Sequence, residues 1–205
     1  MIANWINSAY TNEETLKKLN KDFFKSQPFH HIELKDFFKE EKINLILEEL
    51  KNESYEEKDS DLFRLLQTKD LSISKQKNIR EFVNLLNSKE LIKLIEKITS
   101  ITLKPGKTDI SSVIYRQYDY LLCHDDLIEN RKIAFILNLS GFNKDDGGKL
   151  QIFNSKNKAP TKIVKQIIPS INNLVLFQVS PISFHQVEEV YTEKERVTIS
   201  GWFNG

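Results

Sequence analysis

Two histidines and one aspartate in the C-terminal half of the chain have the types and spacing of a metal site. His124 and Asp126 are separated by one residue, and His185 follows much further along the chain. Two imidazoles and one carboxylate can hold a non-haem Fe(II) on one face and leave its other coordination positions open. These residues therefore predict an open iron site of the kind that oxygenases use.

The neighbouring residues strengthen this metal-site prediction. Residues 118–126 end a β-like run, and side chains two positions apart on a strand share a face, so we expect His124 and Asp126 to point together. A lone His185 would more often be a core or surface residue, but the earlier His-x-Asp pair favours a ligand. Cys123, directly before His124, is interpreted as a small buried hydrophobic residue. The similar pair His31-x-Glu33 is interpreted as part of an ordinary strand.

Arg196 adds a positive charge to a strand that is otherwise typical of a core. By strand alternation Arg196, Thr198, Ser200 and Trp202 share one face. An arginine that points into a β core is costly unless it meets an anion. A guanidinium with a hydroxyl two residues away offers several directed donors to a carboxylate. Spacing alone leaves the alternative open, in which Arg196 reaches solvent or pairs with a surface carboxylate.

The first half of the chain has apolar residues at helical spacing. Three amphipathic helices are predicted by stripes of apolar side chains: Ile43, Leu45, Ile46, Leu47, Leu50; Ile79, Phe82, Val83, Leu85, Leu86; and Leu91, Ile92, Leu94, Ile95, Ile98. Asp36 and Ser88 are the predicted N-caps of the first and third helices. The charged segment 52–74 is predicted to be a long ordered loop or lid.

Beyond Pro105-Gly106 the pattern changes to short β-type runs separated by turn-forming residues. The runs are centred on residues 113–115, 133–137, 150–153, 163–164, 174–177 and 197–203. Strands at this spacing predict an antiparallel sandwich or barrel, and helices that precede strands indicate an α+β fold with the helices on one outer face. We expect a single domain over residues 1–205, with mainly helical support and a lid in 1–104 and the β core in 105–205.

Composition argues against several classes of function. Thirty Lys and Arg residues nearly balance 29 Asp and Glu residues, and the net charge of +1 gives no global attraction to nucleic acid or to an anionic membrane. The single cysteine suits a reducing compartment. No stretch reads as a signal peptide or a membrane span. The sequence therefore predicts a soluble cytoplasmic or nuclear protein.

The same motifs resemble those of Fe(II)- and 2-oxoglutarate-dependent prolyl hydroxylases. The likeness is to the eukaryotic enzymes that hydroxylate a proline in the decoding-centre protein of the small ribosomal subunit, and it covers nearly the whole chain. It is carried by Leu121-Leu122-Cys123-His124-Asp125-Asp126, Arg131 to Leu137, Val179 to Val187, and Arg196 to Phe203, with looser matches at Pro28 to His31 and Ser60 to Phe63.

This resemblance implies a double-stranded β-helix (jelly roll) flanked by helices. It implies that His124, Asp126 and His185 bind Fe(II) and that Arg196 binds the distal carboxylate of 2-oxoglutarate. Thr198 and Tyr115 are further candidates for contacts with that co-substrate. Dioxygen is the second co-substrate, and ascorbate is an additional candidate cofactor. The implied partner is a protein or peptide that carries the target proline, expected to be a ribosomal protein.

The chain departs from the family pattern at Asn138, where the family usually has a second tyrosine that contacts the co-substrate. An amide could take that role through a shorter side chain. The ribosomal enzymes also carry a second jelly-roll domain, and recognition by that domain is not carried over. Residues 56–74 and the 143–148 loop are candidates for gripping a peptide. Two alternatives remain, namely the same chemistry on another protein or a small molecule, and a non-catalytic jelly-roll binding module.

Overall fold

The computed structural model describes residues 2–205, which form a helical layer against a curled β-sheet. The helices are α1 (Glu13–Lys25), α2 (Glu40–Leu50), α3 (Lys77–Leu86) and α4 (Lys89–Thr99). The strands are β1 (His31–Lys35), β2 (Tyr55–Ser60), β3 (Phe63–Thr68), β4 (Thr108–Tyr115), β5 (Tyr120–His124), β6 (Arg131–Asn138), β7 (Leu150–Lys156), β8 (Ala159–Ile167), β9 (Asn173–Gln178), β10 (His185–Val187) and β11 (Arg196–Asn204). No helix within residues 2–205 is both long and apolar enough to cross a membrane.

The strands pair antiparallel in the order β1-β9-β6-β11-β4-β3-β5-β10-β7-β8, with β2 attached to β3. Apolar side chains from β6 and β9 pack against side chains from β7 and β8, at the other end of that order. The sheet therefore curls so that its two halves face each other. This is the double-stranded β-helix with flanking helices that the sequence predicts, and the predicted fold is confirmed.

Alternation along the central strands divides the protein into two cores. On β6, Ile133, Phe135 and Leu137 pack in the cluster that includes the helices, whereas Ala134 packs between the two halves of the sheet. All ten residues of the predicted α3 and α4 stripes are buried, as expected for helices that cover a sheet face. The helices thus support the outer face of the strands whose inner face lines the cavity described below.

The prediction of a loop or lid at residues 52–74 is wrong, because most of this segment forms the β2–β3 hairpin. The charges lie mainly on β2, which is an edge strand with exposed side chains. Its partner β3 joins the two halves of the sheet: Leu66 pairs with Ile114 of β4, and Phe63 pairs with Leu121 of β5. A polar edge strand lacks the apolar alternation by which strands are recognised, since neither of its faces is fully buried.

Helix ends agree only in part with the predicted caps. Ser88 caps α4, and its Oγ accepts a hydrogen bond from the Leu91 amide at 3.2 Å. Asp36 does not cap α2, because that helix begins at Glu40 and Asp36 lies in a left-handed turn with φ of 51°. Helix α1 was not predicted. Its signal is Asn12, whose side chain accepts hydrogen bonds from two amides of the first turn.

Candidate metal centre

A β-bulge in β5 directs His124 into the interior of the sheet. His185 lies opposite His124 and Val187 lies opposite Leu121, so three steps along β5 match two steps along β10. The extra residue places Leu121 and His124 on the same face, and both line the central cavity. Bulges of this kind often re-aim side chains beside active sites.

The prediction that His124 and Asp126 share a strand face is wrong, although the two side chains do lie together. Strand β5 ends at His124, and Asp126 lies beyond it with a left-handed φ of 60°. A turn, and not a shared strand face, therefore brings the carboxylate back to the imidazole. Cys123, which was expected to be buried, is half-buried.

His124, Asp126 and His185 form one compact cluster, with ligand atoms within 4.8 Å of one another. The Asp126 carboxylate lies 3.5 Å from Nε2 of His124 and 3.4 Å from Nε2 of His185. Each imidazole donates Nδ1–H to a backbone carbonyl two residues earlier, Leu122 for His124 and Ser183 for His185, at 2.8 Å. These bonds select the tautomer that leaves Nε2 free as a ligand.

The charge states of the cluster suit a divalent cation. Burial, reinforced by the neighbouring His185, lowers the pKa of His124 to about 4, so this imidazole is neutral at pH 7. Burial raises the pKa of Asp126, but contact with the two histidines outweighs it and brings the pKa down to about 2. Two imidazoles and one carboxylate are the donor set that an open Fe(II) site requires, so these residues fit that metal.

Arg196 lies in the same cavity, toward the end where β5 begins, while His124 stands where β5 ends. The cavity has a volume of about 120 Å³ and a mostly apolar lining that includes Leu65, Val113 and Phe177. It is thus a narrow apolar chamber with a metal-binding cluster and an arginine.

The Arg196 guanidinium is a buried cation without a protein anion. The residue is only 2 % exposed, its Nε has no hydrogen-bond partner, and no carboxylate within residues 2–205 forms an ion pair with it. Its Nη2 donates to Oδ1 of Asn138 at 3.4 Å, and its guanidinium lies 5.1 Å from the centroid of the Tyr115 ring. The alternative of a solvent-exposed or surface-paired Arg196 is therefore wrong. An unpaired buried cation that faces a cavity fits an anionic ligand.

A comparison with protein families agrees with this geometry. Residues 110–204, which contain the three metal-cluster residues and Arg196, match the model of the 2OG-Fe(II) oxygenase superfamily. The chain contains a 2OG-Fe(II) oxygenase domain.

Curated relatives agree with the oxygenase domain, and a solved structure agrees with the fold. The chain is 40% identical over 189 residues to the prolyl 3-hydroxylase OGFOD1 of Xenopus laevis, a match that covers 88% of the chain and 36% of that protein. It is 35% identical over 207 residues to the prolyl 3,4-dihydroxylase OGFOD1 of Ostreococcus tauri, covering 92% of the chain and 40% of the relative. A crystal structure of a Pseudomonas putida prolyl-4-hydroxylase superposes with a TM-score of 0.74 at 16% identity, over 92% of this chain and 98% of the other. The chain thus spans little more than a third of the length of these curated relatives, and the solved structure supports the fold.

The other predicted co-substrate residues of the oxygenase domain lie in two places. Tyr115 and Thr198 line the cavity, and burial raises the pKa of Tyr115 to about 12 although Arg196 acts in the opposite direction. Asn138 lies outside the cavity lining, behind Arg196. Its Nδ2 donates to the Asn173 carbonyl at 3.2 Å while its Oδ1 receives the Arg196 guanidinium. Asn138 therefore orients the arginine from behind.

Two pairs of residues that shape the cavity were not predicted from the sequence. Arg131 stacks on Trp202, with its guanidinium carbon 3.4 Å from the ring centroid, and its Nη1 lies 3.8 Å from Oδ1 of Asp126. Trp202 was placed on the Arg196 face, so its position could have suggested this role. Leu65 and Gln67 enter the cavity from β3, and nothing local in the sequence could show this because it depends on long-range pairing.

The 143–148 loop, a candidate for gripping a peptide, lies at the Arg196 end of the oxygenase domain. Gly147 bridges to Val190, and a Cβ on Gly148 would lie 3.2 Å from Cδ of Arg196. The amide of Val190 in turn bonds to the carbonyl of Asp119, just before β5 begins. The loop therefore borders the buried arginine and lies away from the end of β5 that carries His124.

Proposed function

We propose that this domain is an Fe(II)- and 2-oxoglutarate-dependent dioxygenase that hydroxylates a prolyl residue in a protein. The observation that carries the proposal is the pairing, in one apolar cavity, of an open three-residue metal cluster with a buried and unpaired arginine. The domain match and the prolyl hydroxylase relatives support the same reaction class. The proposal concerns this chain, which matches only part of the length of its relatives.

In this proposal, Nε2 of His124, the Asp126 carboxylate and Nε2 of His185 hold Fe(II). The backbone acceptors of the two Nδ1–H groups keep the imidazole rings oriented before the metal arrives. Arg131 supports Asp126 from the side away from His185, because it approaches Oδ1 while His185 approaches Oδ2. The chain therefore supplies a preorganised half of a coordination sphere.

Arg196 anchors the distal carboxylate of 2-oxoglutarate in the proposed complex. Its unpartnered Nε and the Thr198 hydroxyl face the same cavity, while Asn138 and the Tyr115 ring fix the guanidinium plane. A carboxylate beside this guanidinium would compensate the desolvated charge, since charge-assisted hydrogen bonds are strongest out of water.

When bound, iron with 2-oxoglutarate and dioxygen supplies the oxidising chemistry that inserts one oxygen atom into a C–H bond and leaves succinate and carbon dioxide. The residues of the chain position the reactants and keep water out, and the apolar lining of Leu65, Val113 and Phe177 serves the second role. Ascorbate remains a candidate reductant.

The proposed partner is a protein that carries the target proline, and the first candidate is the decoding-centre protein of the small ribosomal subunit. That candidate comes from the resemblance of the sequence motifs to the ribosomal prolyl hydroxylases. Mass detection of one added oxygen on a peptide from that protein, compared with a proline-centred peptide library, tests the substrate directly.

The decisive experiment on the metal site is His185→Ala. We expect this variant to lose bound iron and substrate-stimulated succinate formation, because one of only three protein ligands is removed. Gln186→Ala is the matched control, since it changes the residue next to His185 but leaves all three ligands and the backbone acceptors of both imidazoles. Wild-type turnover by His185→Ala, with metal content measured on the same sample, would contradict the ligand assignment.

A further inference from the structure

The tip of the β2–β3 hairpin lies at the metal end of the domain. Strand β3 runs antiparallel to β5, with Arg64 opposite Tyr120 and Phe63 opposite Leu121. The amide of Leu122 donates to the carbonyl of Leu62 at 2.8 Å, which continues this pairing toward His124. Residues 59–62 therefore stand beside the last residues of β5.

Two further segments surround the same end of the cavity. Residues 125–130 follow His124 directly, and residues 180–184 directly precede His185. Oγ of Ser183 donates to the carbonyl of Asp125 at 2.9 Å and joins these two segments. Together with residues 59–62 they form what we call the entrance rim.

The entrance rim exposes large aliphatic side chains. Leu62 is 61 % exposed, Leu127 52 %, Ile128 58 % and Ile182 37 %. Single exposed aliphatic residues are ordinary on protein surfaces, but several on three adjoining segments around a cavity are typical of an interaction surface. Each rim segment contributes at least one of them.

The charge of the entrance rim has a single sign. Its fifteen residues include Asp59, Asp61, Asp125, Asp126 and Glu129 and contain no lysine or arginine, although the whole chain carries a net charge of +1. Asp126 belongs to the metal cluster. The exposed Asp59, Asp61 and Glu129 form no ion pair with any of the described residues. These carboxylates are therefore free for a partner.

The cations near the rim do not cancel this charge at the hairpin tip. Arg131 follows the 125–130 segment and is engaged by Asp126 and Trp202. Lys104 and Lys107 line the same surface depression as Ile128 and Glu129, so the uncompensated negative charge of the rim lies at the hairpin tip. Arg64 on β3 lies opposite Asp59 in the hairpin register, but its side chain is paired with Asp119 at 2.8 Å. Lys58, next to Asp59, is paired with Glu56 at 2.8 Å.

We propose that the entrance rim docks an extended segment of the substrate protein that carries lysine or arginine together with aliphatic side chains on either side of the target residue. This inference rests on the proposed function and adds the chemical class of the substrate. The aliphatic side chains cover Leu62, Leu127, Ile128 and Ile182, and the cations face the carboxylates of the hairpin tip. Charge complementarity of this kind acts on association rate and on the choice between partners.

The test uses the full chain and three synthetic peptides of about fifteen residues. Each has one central proline between aliphatic residues, and the flanking positions are lysine, glutamine or glutamate. Hydroxylation is followed by mass, and binding is followed by fluorescence anisotropy on protein loaded with Mn(II) and 2-oxoglutarate. We expect the lysine peptide to exceed the glutamate peptide about tenfold in kcat/KM at low salt, and added KCl to reduce this difference.

Two pairs of substitutions on the same hairpin locate the effect. Asp59→Asn with Asp61→Asn is expected to reduce the preference for the lysine peptide severalfold. Glu56→Gln with Glu57→Gln removes two carboxylates from the same strand farther from the tip and releases Lys58 from its 2.8 Å pair with Glu56, so it is expected to reduce the preference less. Leu62→Ser is expected to weaken the lysine and glutamine peptides equally.

The outcomes separate this inference from the proposed function. Binding of the lysine peptide without hydroxylation supports the docking surface and contradicts the proposed prolyl hydroxylation. Hydroxylation without any charge preference, or an equal effect of the two double variants, overturns the docking surface and leaves the proposed function standing. Failure of all three peptides to bind also overturns the docking surface.

Discussion

At the scale of single residues, the chain keeps an energetically costly group where a ligand is proposed to bind. Arg196 is buried without a carboxylate partner among residues 2–205, and its contacts there are with Asn138 and the Tyr115 ring. Burial of an uncompensated charge opposes folding, and sites that bind ions often retain such a cost for function. The ligand-free domain is therefore less stable than its packing would allow.

Arg196→Met tests this cost directly. We expect the ligand-free protein to gain about 1–2 kcal/mol in free energy of unfolding, because a flexible apolar side chain replaces a desolvated cation. The same substitution should abolish the rise in Tm that 2-oxoglutarate gives to the Mn(II)-loaded wild type. Thermal unfolding with and without the co-substrate measures both effects, and a variant that loses stability while it keeps the 2-oxoglutarate shift would contradict the assignment.

At the scale of elements, the 143–148 loop bears on the site at Gly148, where its backbone lies close to the Arg196 side chain. Gly148 has a φ of +64°, and a Cβ there would lie 3.2 Å from Cδ of Arg196, 3.2 Å from the Phe142 ring and 3.3 Å from Val190. Gly106 offers a matched comparison, since its φ is +72° but a Cβ would meet nothing within 4 Å. The two glycines share the backbone conformation and differ in contact with the site.

Gly148→Ala and Gly106→Ala should therefore separate strain from displacement of Arg196. Both variants are expected to lose about 1–2 kcal/mol of stability, because alanine is strained at positive φ. Gly148→Ala alone should weaken 2-oxoglutarate binding, by about tenfold, which corresponds to roughly 1.4 kcal/mol. Titration of the Mn(II)-loaded proteins with 2-oxoglutarate measures this, and equal affinities would show that the loop does not position the arginine.

Elements with a local pattern of apolar residues were predicted from the sequence. Elements that depend on pairing with residues far along the chain were missed. The helical stripes of α3 and α4 and the core strands β4, β6, β7, β9 and β11 were predicted because burial on one or both faces leaves a signal in the apolar residues. The exposed edge strand β8 was predicted from the β-branched residues Ile163 and Val164. The β2–β3 hairpin was missed because β2 is a polar edge strand. The meeting of His124 with Asp126 was predicted for the wrong reason, since a bulge and a left-handed turn set it. Neither feature leaves a periodic pattern.

At the scale of the whole molecule, a polar contact joins the two ends of the strand order. Nζ of Lys165 on β8 lies 3.0 Å from Oε1 of Glu33 and 3.1 Å from Nε2 of His31, both on β1. The prediction that His31 and Glu33 belong to an ordinary strand is confirmed. Nδ1 of His31 donates to the Phe29 carbonyl, so Nε2 is left to accept from the lysine.

This closing contact should make stability depend on pH. Burial first, and then Lys165, lower the pKa of His31 below its usual 6.5. The neutral form of His31 is therefore favoured in the folded state. The resulting contribution to stability is complete above pH 6.5 and is lost as the pH falls through the lowered pKa of the folded state. We expect the Tm of the wild type to fall between pH 7.5 and 5.5 more steeply than that of His31→Gln. Parallel pH profiles would contradict this role.

Strand β3 also determines how the closed cavity can open. Its first residues pair with β5 and its last with β4, so one short strand holds together the half that carries His124 and the half that carries Arg196. Local unfolding of the hairpin would open the sheet between these two halves while the helix-covered core stays intact, as expected for a cooperative unit smaller than the domain. Amide hydrogen exchange in residues 63–68 would then report the lifetime of the assembled cavity, independently of global unfolding.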